Sequence, residues 1–192
     1  MAIEYEVKFR ATEEALLTID RAFSEEGTVF AMETTYYDTP SGALSARYYT
    51  LRKRLENGIS VCTLKVPADC GRGEWEILCG DILQAIPKLV EMGAPEDLAD
   101  LAGEGIVPIC GAKFTRIAKT LSLTGGTVEL ALDRGILFGG GREEPLCEVE
   151  VELKDGPVAI CDAFAKMLAT QFSLKLEKKS KFRRALSLYK GE

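Results

Sequence analysis

The chain has 192 residues, 46% hydrophobic and 28% charged, a size and balance that suit one domain spanning residues 1–192. Its net charge of −6 argues against a nucleic-acid surface, and no apolar stretch approaches the length of a membrane span. It has no histidine, which excludes Ser-His-Asp and Cys-His catalysis and leaves chemistry to carboxylates, Lys, Arg, Tyr or a metal.

The first residues, Met1-Ala2-Ile3-Glu4-Tyr5-Glu6, carry acids at once and lack an apolar signal core, so a cytoplasmic location is expected. None of the six cysteines, at 62, 70, 79, 110, 147 and 161, forms a C-x-x-C pair. Without histidine this argues against a zinc site, and buried free thiols are expected instead. A Gly-rich phosphate loop of the G-x-x-x-x-G-K-[ST] type is absent.

Residues 2–10 alternate strictly, with Ile3, Tyr5, Val7 and Phe9 on one face and Glu4, Glu6, Lys8 and Arg10 on the other, and predict a strand. Thr12 is placed to cap a helix running to about residue 26 and ended by Gly27. A strand at 28–37 leads into the turn Asp38-Thr39-Pro40-Ser41-Gly42. Strands at 48–56 and 59–66 are joined by Asn57-Gly58, which supplies the positive φ of a tight hairpin, and another strand covers about 72–79. Asp81 starts a helix to Met92, with a break expected at Pro87, and a short helix follows near 95–102. Strands at 108–123, 127–137 and 146–154 and helices at 157–171 and 179–189 complete the chain. Hairpins dominate, so an α+β fold is expected, an antiparallel sheet with helices packed outside.

The polar faces of these strands carry the functional signal. Glu4, Glu6 and Lys8 share one face of the first strand, and Glu148, Glu150 and Glu152 one face of the late strand. Arg52 and Arg54, Lys65, Glu74 and Glu76, Arg116, and Glu129 and Asp133 fall on the corresponding faces between. The bland explanation is a sheet with one wet face. Against it, carboxylates two residues apart on a strand lie about 7 Å from each other and repel by about 2 kcal/mol at an effective dielectric of ~20. Such ladders suit a hard cation, Mg²⁺ or Mn²⁺. Rolling the sheet into a barrel gathers acidic and basic strands around one lumen, with Arg shaped for forked contact with phosphate.

At these residues the chain resembles the CYTH superfamily, the triphosphate tunnel metalloenzymes. Glu4-Tyr5-Glu6-Val7-Lys8 resembles its E-x-E-x-K signature, Tyr36-Tyr37-Asp38-Thr39 its Y-[FY]-D-T turn, and Leu51-Arg52-Lys53-Arg54 its L-R-x-R strand. Thr63-Leu64-Lys65, Glu74-Trp75-Glu76, Glu129 to Gly135, Glu148 to Glu152 and Ser180-Lys181 with Arg184 continue the likeness from residue 3 to about 185. It is similar above all to bacterial inorganic triphosphatases, notably through Arg72-Gly73-Glu74-Trp75-Glu76.

The resemblance implies a closed, antiparallel, eight-stranded β-barrel that binds a triphosphate with Mg²⁺ or Mn²⁺ and hydrolyses it. It implies metal ligands Glu4, Glu6, Glu148 and Glu150, and phosphate ligands Lys8, Arg52, Arg54, Lys65, Arg116 and Lys181. Lys8 and Glu150 are the expected catalytic pair, Glu150 orienting water, while Glu74, Glu76, Glu129 and Asp133 support the basic side chains or the metal. Arg184 is a further candidate for the lumen, and metal-bound water among lysines leads to an expected alkaline optimum. One departure is Ala118, where many relatives place a second basic residue; strand parity turns Lys119 to the other face. The expected substrate is a small polyanion, inorganic tripolyphosphate ahead of a nucleoside triphosphate, with no nucleic acid or membrane partner, and a homodimer is compatible with the sequence. The alternatives are a class IV adenylate cyclase, a thiamine triphosphatase, an RNA triphosphatase (disfavoured by the net charge) and a polyphosphate- or nucleotide-binding module without turnover.

Overall fold

The structure, a computed structural model, describes residues 2–69 and 71–192, with side chains from residue 5 onward. Residues 2–10 form two strands, β1 (Ala2–Glu4) and β2 (Glu6–Arg10), divided at Tyr5. Helix α1 (Glu13–Ala22) begins where Thr12 accepts a hydrogen bond from the Ala15 amide and ends at Phe23, four residues short of the expected glycine. The Lys119 ammonium donates to the Asp20 and Phe23 carbonyls at 2.7 and 2.6 Å and so satisfies the open carbonyls of that helix end.

Strand β3 (Thr28–Asp38) leads to a four-residue helix that the sequence did not signal, α2 (Ala43–Ala46). Its first amides are held by the buried Asp38 carboxylate, which accepts from Leu44 and Ser45. Strands β4 (Thr50–Glu56) and β5 (Ile59–Pro67) form the expected hairpin, with φ of 49° and 86° at Asn57 and Gly58. After β6 (Arg72–Leu78), helix α3 (Ile82–Glu91) runs unbroken through Pro87, and α4 (Asp97–Ala102) follows. The packing of Ile82, Ala85, Ile86 and Leu89 against β5 and β6 outweighs the one hydrogen bond lost at Pro87. The long strands β7 (Val107–Leu123), β8 (Gly126–Gly139) and β9 (Arg142–Asp155) precede α5 (Val158–Gln171), the two-residue β10 (Lys175–Leu176), also unsignalled, and α6 (Lys181–Lys190).

All pairings are antiparallel, in the order β1-β6-β5-β4-β3-β7-β8-β9-β2-β10. By hydrogen bonding the ladder has ten strands, not the expected eight, with β1 at one edge and β10 at the other. The difference comes from the division at Tyr5 and from β10. Segment 2–10 therefore stands at one edge of the order and next to the other: Ile3 of β1 pairs with Gly73 of β6, while Val7 of β2, one strand in from β10, pairs with Val151 of β9.

The apolar faces of the strands bury against helices, as the alternation requires. Phe9, Leu130, Leu132, Val149 and Val151 pack with α1 and α5, and Leu51, Cys62, Leu64 and Trp75 pack with α3 and α4. A third cluster lies on the other, cavity-lining face, where Met32, Tyr36, Phe114 and Leu137 meet Phe182 and Ala185 of α6, so α6 does not pack outside the sheet as expected. Gly135 permits the closest approach in β7–β8, since a Cβ there would lie 2.1 Å from the Lys113 carbonyl and 2.5 Å from Phe114 Cα. Cys62, Cys110 and Cys161 are buried thiols pushed up by burial to about 11, 12 and 11; Cys79 and Cys147 are also free, and Cys70 lies outside the described residues. No helix among the described residues is long and apolar enough to cross a membrane.

Candidate functional site

The charged faces gather around one cavity of about 370 Å³, lined from every strand from β2 to β9 and from the start of α6. Lys8, Arg52, Arg54, Lys65, Arg116 and Lys181, the six basic residues singled out in the sequence, all line it. So do Glu6, Glu74, Glu76, Glu129 and Glu150. Glu148 and Asp133 do not: both are fully buried, in contact with Lys181 at the start of α6. The Glu4 backbone pairs with Arg72, and its side chain lies outside the described residues.

Glu6 and Glu148 are not brought together. Register places Glu152 directly beside Glu6 on β2, and Glu129 beside Glu152 on β8. Side chains opposite each other on adjacent strands have Cβ atoms about 5 Å apart, so these three carboxylates form a row at the cavity rim. Lys8 stands over Glu6 at 2.5 Å, and Lys154 over Glu152 at 2.9 Å and Glu129 at 3.8 Å. Burial works against the Lys8 ammonium, but Glu6 and Glu150 hold its pKa above the ordinary value. Lys154 is a residue that sequence reasoning missed, and Glu152, read as part of the acidic ladder, is not among the implied metal ligands. Parity put both on the right face, but only the β2–β9 register shows which acid meets Glu6.

Opposite this row, β4 to β6 form a basic wall. Glu74 sits 3.6 Å from Arg52 and 3.5 Å from Lys65, and Glu76 sits 3.8 Å from Arg54, beyond direct hydrogen-bond length. The buried Arg54 Nε has no hydrogen-bond partner. Burial lowers the Arg54 pKa, and neighbouring Arg52 adds to that by like-charge repulsion. Arg54 also pairs with Glu56 through its other nitrogens, and the wall turns several guanidinium and ammonium donors toward the cavity, groups whose shape and charge suit phosphate oxygens.

Between wall and row lies a tighter cluster. Arg116 makes a forked contact with Asp133, 2.7 Å on each arm, and also bonds Glu150. Lys181 Nζ lies 2.8 Å from Asp133, 2.6 Å from Glu148 and 2.7 Å from Glu150. Oxygens of Asp133, Glu148 and Glu150 approach within 4.8 Å of one another, a spacing that could hold an ion. The Lys181 ammonium already bonds all three, and Arg116 and Arg184 take further oxygens; the rim carboxylates Glu6, Glu129 and Glu152 are in turn paired with Lys8 and Lys154. The hard oxygens of the rim carboxylates, facing an open cavity, match the preference of Mg²⁺ or Mn²⁺ for carboxylate plus water.

Burial alone would raise the Glu150 pKa, but Lys181 and Arg116 outweigh it and hold the carboxyl far below its ordinary 4.5. Burial alone would lower Lys181, yet Asp133, Glu150 and Glu148 hold it well above 10.5. The Glu150 contribution to stability is therefore complete above 4.5 and is lost as pH falls through its folded value. That of Lys181 is complete below 10.5 and is lost as pH rises through its own folded value. The melting temperature should be nearly flat between about pH 5 and 10 and fall on either side, with Glu150→Gln weakening the acid-side slope. A wild-type melting temperature that rises steadily from pH 5 to pH 3 would contradict this.

The expected departure at residues 118 and 119 is as parity requires: Ala118 lines the cavity, and Lys119 faces α1. A second, larger cavity of about 780 Å³ lies between the Asp38 turn and α6 and shares Thr50, Arg72, Ser180 and Phe182 with the first.

An antiparallel sheet whose strands β2 to β9 all reach one cavity of opposed acids and bases, with α1, α3, α4 and α5 packed on the other face and α6 entering the cavity, defines the class of fold. Residues 2–186 match the CYTH domain, and the chain belongs to that family. It is 26% identical over 159 residues to an inorganic triphosphatase of Haemophilus influenzae, a match covering 80% of this chain and 45% of that protein, so the chain spans less than half the length of this relative. In fold it is similar to a Hippeastrum protein described as a candidate adenylyl cyclase with a dominant triphosphatase activity (TM-score 0.70, 19% identity, 99% of this chain and 97% of that one). It is also similar to the PH1819 protein of Pyrococcus horikoshii (TM-score 0.64, 20% identity, 96% and 98%). A candidate adenylate cyclase of Bacillus halodurans shares the fold as well (TM-score 0.60, 17% identity, 95% and 96%).

Proposed function

We propose that this protein is a divalent-metal-dependent triphosphatase that hydrolyses inorganic tripolyphosphate in the cavity. The observation that carries the reading is a basic wall, in which the buried Arg54 Nε has no hydrogen-bond partner, facing a row of carboxylates across one cavity. The cavity is read as the lumen of a closed barrel. Supporting this, β1 and β2 are one residue apart in the chain yet stand at one edge of the sheet order and next to the other. The identity to an inorganic triphosphatase supports the choice of substrate.

In this reading Arg52, Arg54, Lys65, Arg116 and Lys181 take the phosphate oxygens and withdraw charge from the phosphoryl group in transfer. Glu6 and Glu152, with Glu129 beside them and Glu4 as a further ligand, hold Mg²⁺ or Mn²⁺. That metal supplies Lewis acidity and lowers the pKa of water. Lys8, fixed over Glu6 and held charged, contacts a terminal phosphate oxygen. Glu150, paired on both oxygens, is too weakly basic to remove a proton from water and instead holds Arg116 and Lys181 in place. The rim carboxylates are better suited to receive the proton. Glu74, Glu76 and Asp133 orient the basic side chains.

The test is phosphate release from tripolyphosphate, ATP and thiamine triphosphate with Mg²⁺ or Mn²⁺, each with a chelator control. Chelator-sensitive release favouring tripolyphosphate supports the reading. Binding without turnover, unaffected by chelator, would replace it with a binding module. The larger cavity beyond Thr50 and Phe182 gives room for an organic group and favours a second reading, an organic triphosphate substrate. Cyclic AMP and pyrophosphate from ATP would then identify a cyclase.

A further inference from the structure

Three residues of the charged cluster, Asp133, Glu148 and Arg184, have no place on the cavity, and the last two are joined to each other. Glu148 is fully buried and Arg184 is 5% exposed, and neither lines the cavity that the triphosphate reading assigns to substrate. They are nonetheless joined to it. Arg184 Nη1 bonds one oxygen of Glu148, and the other oxygen of Glu148 lies 2.6 Å from Lys181 Nζ. Arg184 Nη2 is tied to Glu144 at 2.5 Å and reaches the Pro145 carbonyl at 3.4 Å. Lys181 and Arg184 stand three apart in the first turn of α6, so they share a helix face, and Ser180 fixes where that turn starts by accepting from the Arg183 amide at 3.2 Å. One buried carboxylate thus bridges two cations of a single helix face, and only the first of them reaches the cavity.

We propose that Arg184 is a positioning residue: acting through Glu148, it sets how far the Lys181 ammonium stands into the triphosphate cavity. The physical reason is charge balance in a buried place. Asp133, Glu148 and Glu150 carry three negative charges, answered by Arg116, Lys181 and Arg184. Without Arg184 the Glu148 carboxylate has one cationic partner, and leaving a buried charge uncompensated is costly. The Lys181 side chain, flexible and carrying a compact charge, is drawn toward Glu148 and away from Glu150 and the cavity. With Arg184 in place Glu148 is satisfied on its inner side, and Lys181 keeps contact with Glu150 at the wall.

The inference rests on the triphosphate reading, and the experiment separates the two. Tripolyphosphate affinity with Mg²⁺, and KM and kcat, are compared in wild type, R184M, R184K, E148Q, R184M/E148Q and R184M/K181M, with thermal melts to identify folded variants. R184M is expected to raise KM and Kd for tripolyphosphate about tenfold, with a smaller change in kcat, the size usual for directly coupled charged neighbours. R184K, which keeps one charge but cannot hold Glu148 and Glu144 together, should fall between and gives the answer if R184M does not fold. R184M/E148Q removes the uncompensated charge along with its partner and should return to within about threefold of wild type. In a Lys181→Met background, R184M should add no further loss of affinity. Affinity in R184M and R184K equal to that of wild type overturns the inference alone, as does a double variant R184M/E148Q worse than either single one. A wild-type protein that neither binds nor hydrolyses tripolyphosphate overturns the functional reading and this inference with it.

Discussion

Glu152→Gln should abolish metal-dependent turnover, whereas Glu148→Gln should leave metal affinity intact. Glu152 lies between Glu6 and Glu129 in the row of rim carboxylates, and Glu148 is fully buried in contact with Lys181 and Arg184. Removing a carboxylate from a small hard-cation site takes away one ligand and part of the negative charge that offsets the ion's dehydration. Losses of about 10- to 100-fold in affinity follow even from outer-shell changes at metal sites, so a direct ligand should cost at least about that much. Mn²⁺ titration by calorimetry, with tripolyphosphate hydrolysis at saturating substrate, distinguishes the two variants. If Glu148→Gln loses Mn²⁺ and Glu152→Gln keeps it, the rim assignment is wrong.

Arg54→Met should stabilise the protein without ligand while crippling it as a triphosphate binder. Arg54 is mostly buried, its Nε lacks a partner, and Arg52 repels it. Replacing such a charge with an apolar side chain of similar length often stabilises a fold. Glu56 loses its Arg54 contact in the exchange, so the net gain is about 1 kcal/mol, or about 2–4 °C in melting temperature for a domain of this size. The same guanidinium would give triphosphate a charge-assisted hydrogen bond, and its loss should raise the Kd about 10- to 100-fold. The two effects of opposite sign are what a site held in strain for its ligand produces. A variant that melts lower and binds equally well would show that Arg54 serves the fold instead.

Much of the site could be read from strand parity. Side chains alternate across a strand whatever the strand pairs with, so Arg52 and Arg54, Glu74 and Glu76, and Lys8 and Glu6 could be assigned to one face from the chain alone. The same rule turned Lys119 away from the cavity. Caps and turns were legible for the same local reason: Thr12, Asp81 and Asn57-Gly58 act on amides and dihedrals within a few residues of themselves. Helix α2, β10 and the continuity of α3 were not legible, because each depends on distant partners: Asp38 beneath α2, Phe9 and Arg10 beside β10, and a packed sheet beneath Pro87.

The sequence by itself determined which side chains face the cavity, because alternation is a property of one strand. The tertiary structure decided which of them meet. Parity made Glu148, Glu150 and Glu152 equivalent, and they end in three environments: fully buried with Arg184, clamped by Arg116 and Lys181, and at the rim beside Glu6. Register between strands, and the angle at which α6 brings Lys181 into the sheet, are set by packing among residues far apart in the chain. The difference between a metal ligand, a clamp and a support is therefore a tertiary property, although all three begin as the same glutamate on the same face.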